Sequence, residues 1–491
     1  MALNVKRSKP VKADRLPLRL KISYGIGQAA AGLHGYAIGV FLLFYYNQVL
    51  GLSAGLAGLA IGLATVVDAF TDPLVGSISD RWRSPLGRRH PFLYVSVLPV
   101  AISFYLLFDP LVTSQLGLFV WLFILSNVAH TALSLFSVPH LALGAEMSED
   151  YDERSSLVAF RHFFTYVGGL LALFLGFGLF FAPTPEFQNG QLNSGAYGPF
   201  ALLLSFLIAV AIFWSAWGTR ATVAFLPVSA EISRVAVWKL IARMFQDIRG
   251  VFRISSYPWL FSGILNMYVI VGVNAVLDLY VLTFFWGFDS TAVFLVIIAY
   301  PVGVMLGAPF ATAFTRRWGK KTAIVFGSLT WAFWQMLPII LRLGDAFPEN
   351  SEALLLPLVV GIKLIQGMCT AQGDVAGGAM LADLVDEQEL ETGMRQEGVI
   401  NAVISFSAKA TSGLGSIVAG FALELIDWPV GGNIQTAADV PVATLEQLGI
   451  VYGPMTAAFA FISIGCFMQV SSTRERHAAI LARLMARRAS S

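Results

Sequence analysis

Long apolar runs separated by short polar breaks repeat along the whole chain. A bilayer crossing takes about 20 predominantly apolar residues. Runs on that scale lie at 22–50, 54–79, 92–109, 116–146, 155–182, 199–219, 257–286, 290–314, 322–342, 353–382, 396–426 and 452–471. They predict twelve membrane-spanning helices. Several are longer than a straight crossing needs, so tilt or extension beyond the lipid is expected.

The polar breaks repeat as well. Gly76-Ser77-Ile78-Ser79-Asp80-Arg81-Trp82, running on to Gly87-Arg88-Arg89, follows the second run. Thr315-Arg316-Arg317-Trp318-Gly319-Lys320-Lys321 follows the eighth. Gly144-Ala145-Glu146 through Arg154 follows the fourth, and Leu381-Ala382-Asp383 through Arg395 follows the tenth. Two six-helix halves with matched connections are the pattern of the major facilitator architecture. The expected fold is therefore an all-α membrane protein of two six-helix halves. It divides into a basic leader (1–21), an N-terminal half (22–219), a linker (220–256), a C-terminal half (257–471) and a tail (472–491). Val237–Phe245 in the linker and Ala478–Arg488 in the tail each set an apolar face against a basic one. Both read as helices lying on the membrane surface, against the plainer alternative of a solvated segment.

Composition agrees with a polytopic membrane protein. Of 491 residues, 56% are hydrophobic and 13% charged, with a mean hydropathy of +0.71, far from soluble usage. The net charge of +2 hides an asymmetry. The connections 51–53, 110–115, 183–198, 287–289, 343–352 and 427–451 contain no Lys or Arg. The opposite side carries the basic leader, Arg81 to Arg89, Arg154, Arg220 to Arg253, Arg316 to Lys321, Arg395 and the tail. Lysine and arginine stay on the cytoplasmic side, so both termini are expected in the cytoplasm. Short basic loops between spans give no nucleic-acid surface. Cys369 and Cys466 lie in apolar runs and read as small core residues rather than a disulfide or metal site. No nucleophile–base pair and no soluble output domain suggests an enzyme or receptor. A monomer without cofactor is expected, with the lipid bilayer as its main partner.

Charged residues inside the spans carry the chemistry. Asp68 and Asp72, four residues apart, share one helix face. A carboxylate at bilayer depth costs roughly 2.5–3.5 kcal/mol even on the gentlest scale, so such residues mark ion or substrate paths. Two like charges cost more unless a cation or proton lies between them. The plainer alternative is an ion pair with a buried base, Arg161 or Lys409. Arg161 could hold a carboxylate or a hydroxyl pair in its fork. Lys409, near the middle of its run, needs a carboxylate partner; Asp68, Asp72 and Asp374 are candidates. Asp278 and Asp374 are second-half carboxylates that could take solute hydroxyls. His140 and Tyr36 are candidates to line a solute cavity, although a lone intramembrane histidine or aromatic is more often core. Asp80, Arg81, Arg88, Arg89 and Arg154 are expected to latch the cytoplasmic ends of the halves together in one state.

Four stretches carry a family resemblance: Tyr24-Gly25-Ile26-Gly27; Asp68-x3-Asp72-Pro73; Gly87-Arg88-Arg89-x-Pro91; and Asp150-Tyr151-Asp152-Glu153-Arg154 leading to Arg161. In these the chain resembles the glycoside–pentoside–hexuronide:cation symporters, the melibiose-carrier family. The resemblance implies that Asp68 and Asp72 hold Na⁺, H⁺ or Li⁺, with the hydroxyls of Thr71 and Ser134 beside them. It also implies roles for the fifth-span arginine, Arg161, and the eleventh-span lysine, Lys409. The chain departs from the family at two sugar-recognising aspartates, where Gly35 and Ser137 stand. The expected function is a symporter in a cytoplasmic (inner) membrane, coupled to Na⁺ or H⁺, with Na⁺ possible at Asp68 and Asp72. It would import a sugar or glycoside by alternating access. The alternative solute is a lysolipid or another non-sugar amphipath.

Overall fold

The computed structural model describes residues 16–148, 150–224, 257–350, 352–392, 397–431, 434–470 and 474–490. All regular structure among them is helical. The first half comprises α1 (Leu18–Ala37), α2 (Ala54–Arg81), α3 (His90–Leu107), α4 (Gln115–Glu146), α5 (Tyr151–Leu175) and α6 (Ser194–Thr219). The second comprises α7 (Tyr257–Tyr280), α8 (Ser290–Trp318), α9 (Lys320–Leu343), α10 (Leu355–Thr392), α11 (Glu397–Leu425) and α12 (Val442–Gln469). Eleven helices among the described residues are long and apolar enough to cross a membrane; only α1, diluted by Arg19, Lys21, Gln28 and His34, is missing from them.

Polar residues set the helix starts. Ser53, Ser114, Asp150 and Asp289 each accept, through a side-chain oxygen, an N–H from the first turn of the helix they open, satisfying a donor that the helix itself leaves unpaired. Prolines 73, 99, 139, 199, 301, 309 and 338 lie inside helices. In lipid such breaks survive because neighbouring helices cover the freed groups.

The two halves repeat in backbone detail. The first helix ends in π turns, Ile38–Leu42 and Tyr45–Val49, and α7 ends in one, Val281–Phe285. Leu50 N–H donates to Tyr45 O and Leu52 N–H to Tyr46 O; Trp286 N–H donates to Val281 O and Phe288 N–H to Leu282 O in the same way. Each chain then turns at a glycine in the left-handed region, Gly51 (φ 76°) and Gly287 (φ 64°), where a Cβ would be strained.

The halves join on the side whose connections lack lysine and arginine, called outer below. Phe44 packs on Tyr280 at 5.1 Å and on Phe284 at 6.1 Å. Tyr280 donates to Asn47 Oδ1 (2.8 Å), Gln191 to Thr283 (3.1 Å), Ser290 to Gln191 (2.6 Å), Gln48 to Pro429 O (3.1 Å) and Asn189 to Gln435 O (3.4 Å). Below this seal α2 and α11 pack backbone to backbone: a Cβ built on Gly58 would lie 2.9 Å from Gly420 Cα and 2.7 Å from Ser416 O. Apart from the bonds of Lys409, every hydrogen bond between the halves among the described residues lies in this outer layer. Among the described residues the polar contacts between the halves thus concentrate on the outer side.

Helix α13 (Arg474–Ser490) forms, and its first turn docks on the inner end of α10. Arg476 pairs with Glu387 at 2.6 Å, and His477 with Asp386 at 3.2 Å. The linker segment Val237–Phe245 and Arg395 lie outside the described residues.

Candidate cation site

The capped start of α2 and its regular turns carry Asp68 fourteen residues inward of Ala54, roughly 21 Å at 1.5 Å per residue. Asp72 lies one turn deeper, just before Pro73. Lys409 of α11 reaches the same level, sixteen residues from Leu425 or roughly 24 Å from the outer end. The Gly58–Gly420 approach makes this meeting possible, because it holds α2 and α11 together as they descend.

Four groups converge there. Lys409 Nζ donates to Asp68 Oδ2 at 2.8 Å and to Asp72 Oδ2 at 2.5 Å. Ser134 of α4 lies on the other oxygens, 2.9 Å from Asp68 Oδ1 and 2.6 Å from Asp72 Oδ1. Its single proton serves one carboxylate at a time, so the second contact is an acceptor facing an acceptor unless something positive lies there. Thr71 Oγ1 bonds Asp68 O at 2.9 Å and Asp68 Oδ1 at 3.3 Å. Asp68 is buried, whereas the Asp72 side chain is 27% and the Lys409 side chain 40% accessible. The site thus has a dry floor and a wet mouth. Of the two bases considered as partners, Lys409 fills the role; Arg161 forms no ion pair or side-chain hydrogen bond among the described residues.

Other candidates divide. Asp374 is accessible, deep in α10. Tyr36 is half-buried with its ring against Gly169. His140 is a correction. It is completely buried, stacked on Tyr24 at 4.2 Å, and both ring nitrogens are engaged, Nδ1 with Gln28 at 3.1 Å and Nε2 with Tyr24 O at 2.9 Å. No face of it is left for a solute. Asp278 is paired with Lys363 (2.9 Å), a buried base that the reading of the sequence passed over. Lys363 is the single charge between Leu354 and Gln372, and that isolation was the available signal.

The cytoplasmic charges expected to latch the halves in one state pair within their own halves in this conformation. Arg89 pairs with Asp80 at 2.5 Å and Glu146 at 2.6 Å, and Arg88 with Glu146 at 2.8 Å, all within the first half. Lys320 pairs with Asp383 at 2.6 Å within the second. Arg154 donates to Ser148 O at 2.7 Å, and Arg81 forms no ion pair among the described residues. None of these joins the halves in this conformation.

The model of a family described as MFS/sugar transport protein matches residues 23–471. The isoprimeverose transporter of Lactiplantibacillus pentosus is 24% identical, over 84% of this chain and 81% of its own. A putative 2,3-dihydroxypropane-1-sulfonate exporter of Escherichia coli is 24% identical, over 93% of this chain and 94% of its own. Among solved structures, a D323A mutant of the nucleoside transporter NupG superposes with a TM-score of 0.62 at 16% identity, over 93% of this chain and 99% of its own. That level of identity speaks for the fold alone.

Proposed function

The chain belongs to the MFS/sugar transport protein family, and on that footing we propose that it is a cation-coupled symporter of a sugar, glycoside or similar polyol in a cytoplasmic membrane. One observation carries the coupling: Lys409 bridges Asp68 and Asp72. Two carboxylates and one ammonium leave a net charge of −1 in a poorly hydrated site. One Na⁺ or one H⁺ brings that charge to zero. Small hard cations take oxygen ligands, and the two carboxylates and the Ser134 and Thr71 hydroxyls supply them. Lys409 occupies the site as a tethered cation. Its flexible four-carbon stem lets it withdraw when an ion enters, and the freed ammonium then faces the solute path.

The isoprimeverose transporter supports a glycoside as solute; the sulfonate exporter shows that relatives also differ in solute and direction. The absence of basic residues from the outer connections supports cytoplasmic termini. Alternating access follows from two repeated halves rocking about a midplane site.

Gradient-driven uptake in proteoliposomes tests this. Asp68→Asn and Asp72→Asn each leave Lys409 with one charged partner and a neutral site. Both variants should lose accumulation of isoprimeverose under an imposed Na⁺ or H⁺ gradient, while downhill exchange survives. Normal accumulation by both would refute the coupling.

A further inference from the structure

Asp278, Lys363 and Tyr452 form a second charged cluster, in the C-terminal half. We propose that Asp278 is the acceptor that seats a neutral, hydroxyl-bearing ring of the transported solute, with Lys363 and Tyr452 as the residues that position it. This rests on the transport reading above and gives its solute a place.

The geometry leaves half of a carboxylate unused. Lys363 Nζ donates to Asp278 Oδ1 at 2.9 Å, and the Tyr452 hydroxyl donates to the same oxygen at 2.5 Å. Lys363 also donates to the Tyr452 oxygen at 2.5 Å and lies 5.3 Å from the centre of its ring. Behind them Gln335 donates to Tyr452 O and Gln366 to Gln335, both at 2.8 Å. Asp278 Oδ2 bonds no described residue. An ionised carboxylate accepts at both oxygens, so one fixed oxygen stays open for a donor.

That oxygen is reachable. The Asp278 side chain is 34% accessible, against 10% for Lys363 behind it. Helix α7 turns its glycines to its neighbours, Gly272 to Ser412 of α11 and Gly263 to Phe467 of α12. Tyr268, Val271, Ala275 and Asp278 recur at the three- and four-residue spacing of one helix face, and each of them is half-buried or exposed. Lys363 reaches it from α10. The cluster sits seven residues from Phe285, roughly 10 Å from the outer end of the helix. Tyr280, two residues on, is part of the outer seal. Asp278 is therefore just beneath that seal.

The chemistry selects a class of ligand. Sugar hydroxyls donate well to a carboxylate, and a charged acceptor gives the stronger bond. Lys363 is already neutralised by Asp278, so an anionic group brought here would find no free positive charge and would meet the open, acceptor-only oxygen of the carboxylate. A neutral polyol ring fits, and an acidic end does not.

The test is thermal stabilisation of the purified full-length protein by D-xylose, methyl β-D-glucopyranoside and isoprimeverose. At least one should raise the melting temperature saturably. Asp278→Asn should weaken that probe about 10- to 100-fold, the range of a hydrogen bond to a charged group. Its response to Na⁺ or pH without sugar, which reads Asp68 and Asp72, should persist. Lys363→Met should weaken the probe similarly and Lys363→Arg should restore it. Failure of all three probes, or wild-type affinity in Asp278→Asn, overturns the assignment and leaves the coupling reading standing. Loss of the cation response together with the sugar response in Lys363→Met also overturns it, because the cluster would then be scaffolding. Should Asp278→Asn not fold, Tyr452→Phe decides, since it keeps the ion pair: weaker binding supports the site and unchanged binding refutes it.

Discussion

A single lysine decides the electrostatics of the cation site. Lys409 holds Asp68 and Asp72 together with no ion present, so an entering cation must compete with it. Replacing it by the apolar, similarly long methionine leaves two carboxylates and a net charge of −2. Lys409→Met should bind the coupling cation more than 10-fold tighter, read as a lower Na⁺ midpoint or a higher pH midpoint in melting curves. Transport should fall because the site no longer empties. Much of this cluster was legible in the sequence. The four-residue spacing put both acids on one face, and an intramembrane lysine demanded a carboxylate. Lys363 obeys the same rule, but no pair of acids at helical spacing and no family motif marked its partners Asp278 and Tyr452, as the Asp68-x3-Asp72 pair marked those of Lys409. His140 erred the other way: a polar residue in an apolar helix is equally consistent with a cavity or with a satisfied core, and only packing separates them.

Elements, not residues, make the outer seal. Its bonds join neutral amides and hydroxyls on π turns and loops, so no charge pattern announced it. Asn47, Gln48 and Gln191 look unremarkable in sequence; the two-half repeat places Asn47 and Thr283 at matching positions. Gln191→Ala removes the bonds to Thr283 and Ser290. At about 0.5–1.5 kcal/mol for each neutral bond, it should shift the population several-fold or more toward the outward-open state. The reporter is Phe44→Cys in a background lacking Cys369 and Cys466. It should be shielded from an impermeant maleimide in the parent and react faster with Gln191→Ala added. Gly58→Val should act in the same direction by wedging α2 from α11, with a lower melting temperature as well. The outer connection has its own anchor. Asp439 accepts the N–H groups of Gln435 and Thr436, and these hold its carboxyl below the usual carboxylate range. A depressed value means stabilisation that is present above the ordinary carboxylate pKa and lost as pH falls through the lowered one. Asp439→Asn should therefore loosen this loop at neutral pH, seen as faster amide exchange at Gln435 and Thr436, and the difference from the parent should vanish in strong acid.

At the scale of the whole molecule, charge bookkeeping around the cation site predicts where the membrane potential acts. The empty site carries −1, from two carboxylates and Lys409, and the site with one cation carries zero. A neutral solute at Asp278 adds nothing, since Asp278 and Lys363 already cancel. Rocking of the loaded protein then moves no net site charge across the field, whereas return of the empty protein moves one negative charge. A full crossing is worth about 2.3 kcal/mol per charge per 100 mV, and a site that crosses part of the field takes a proportionate share. An inside-negative potential pushes the empty site back outward, so it should speed the return step. Net uptake needs that step on every turn; equilibrium exchange of solute with the cation saturating on both sides does not. Imposing a potassium-diffusion potential on proteoliposomes should therefore accelerate net uptake of isoprimeverose and leave equilibrium exchange unchanged. Equal acceleration of both would mean that the loaded site carries charge. The count of two carboxylates, one ammonium and one cation moving through the field together would then be the premise to abandon.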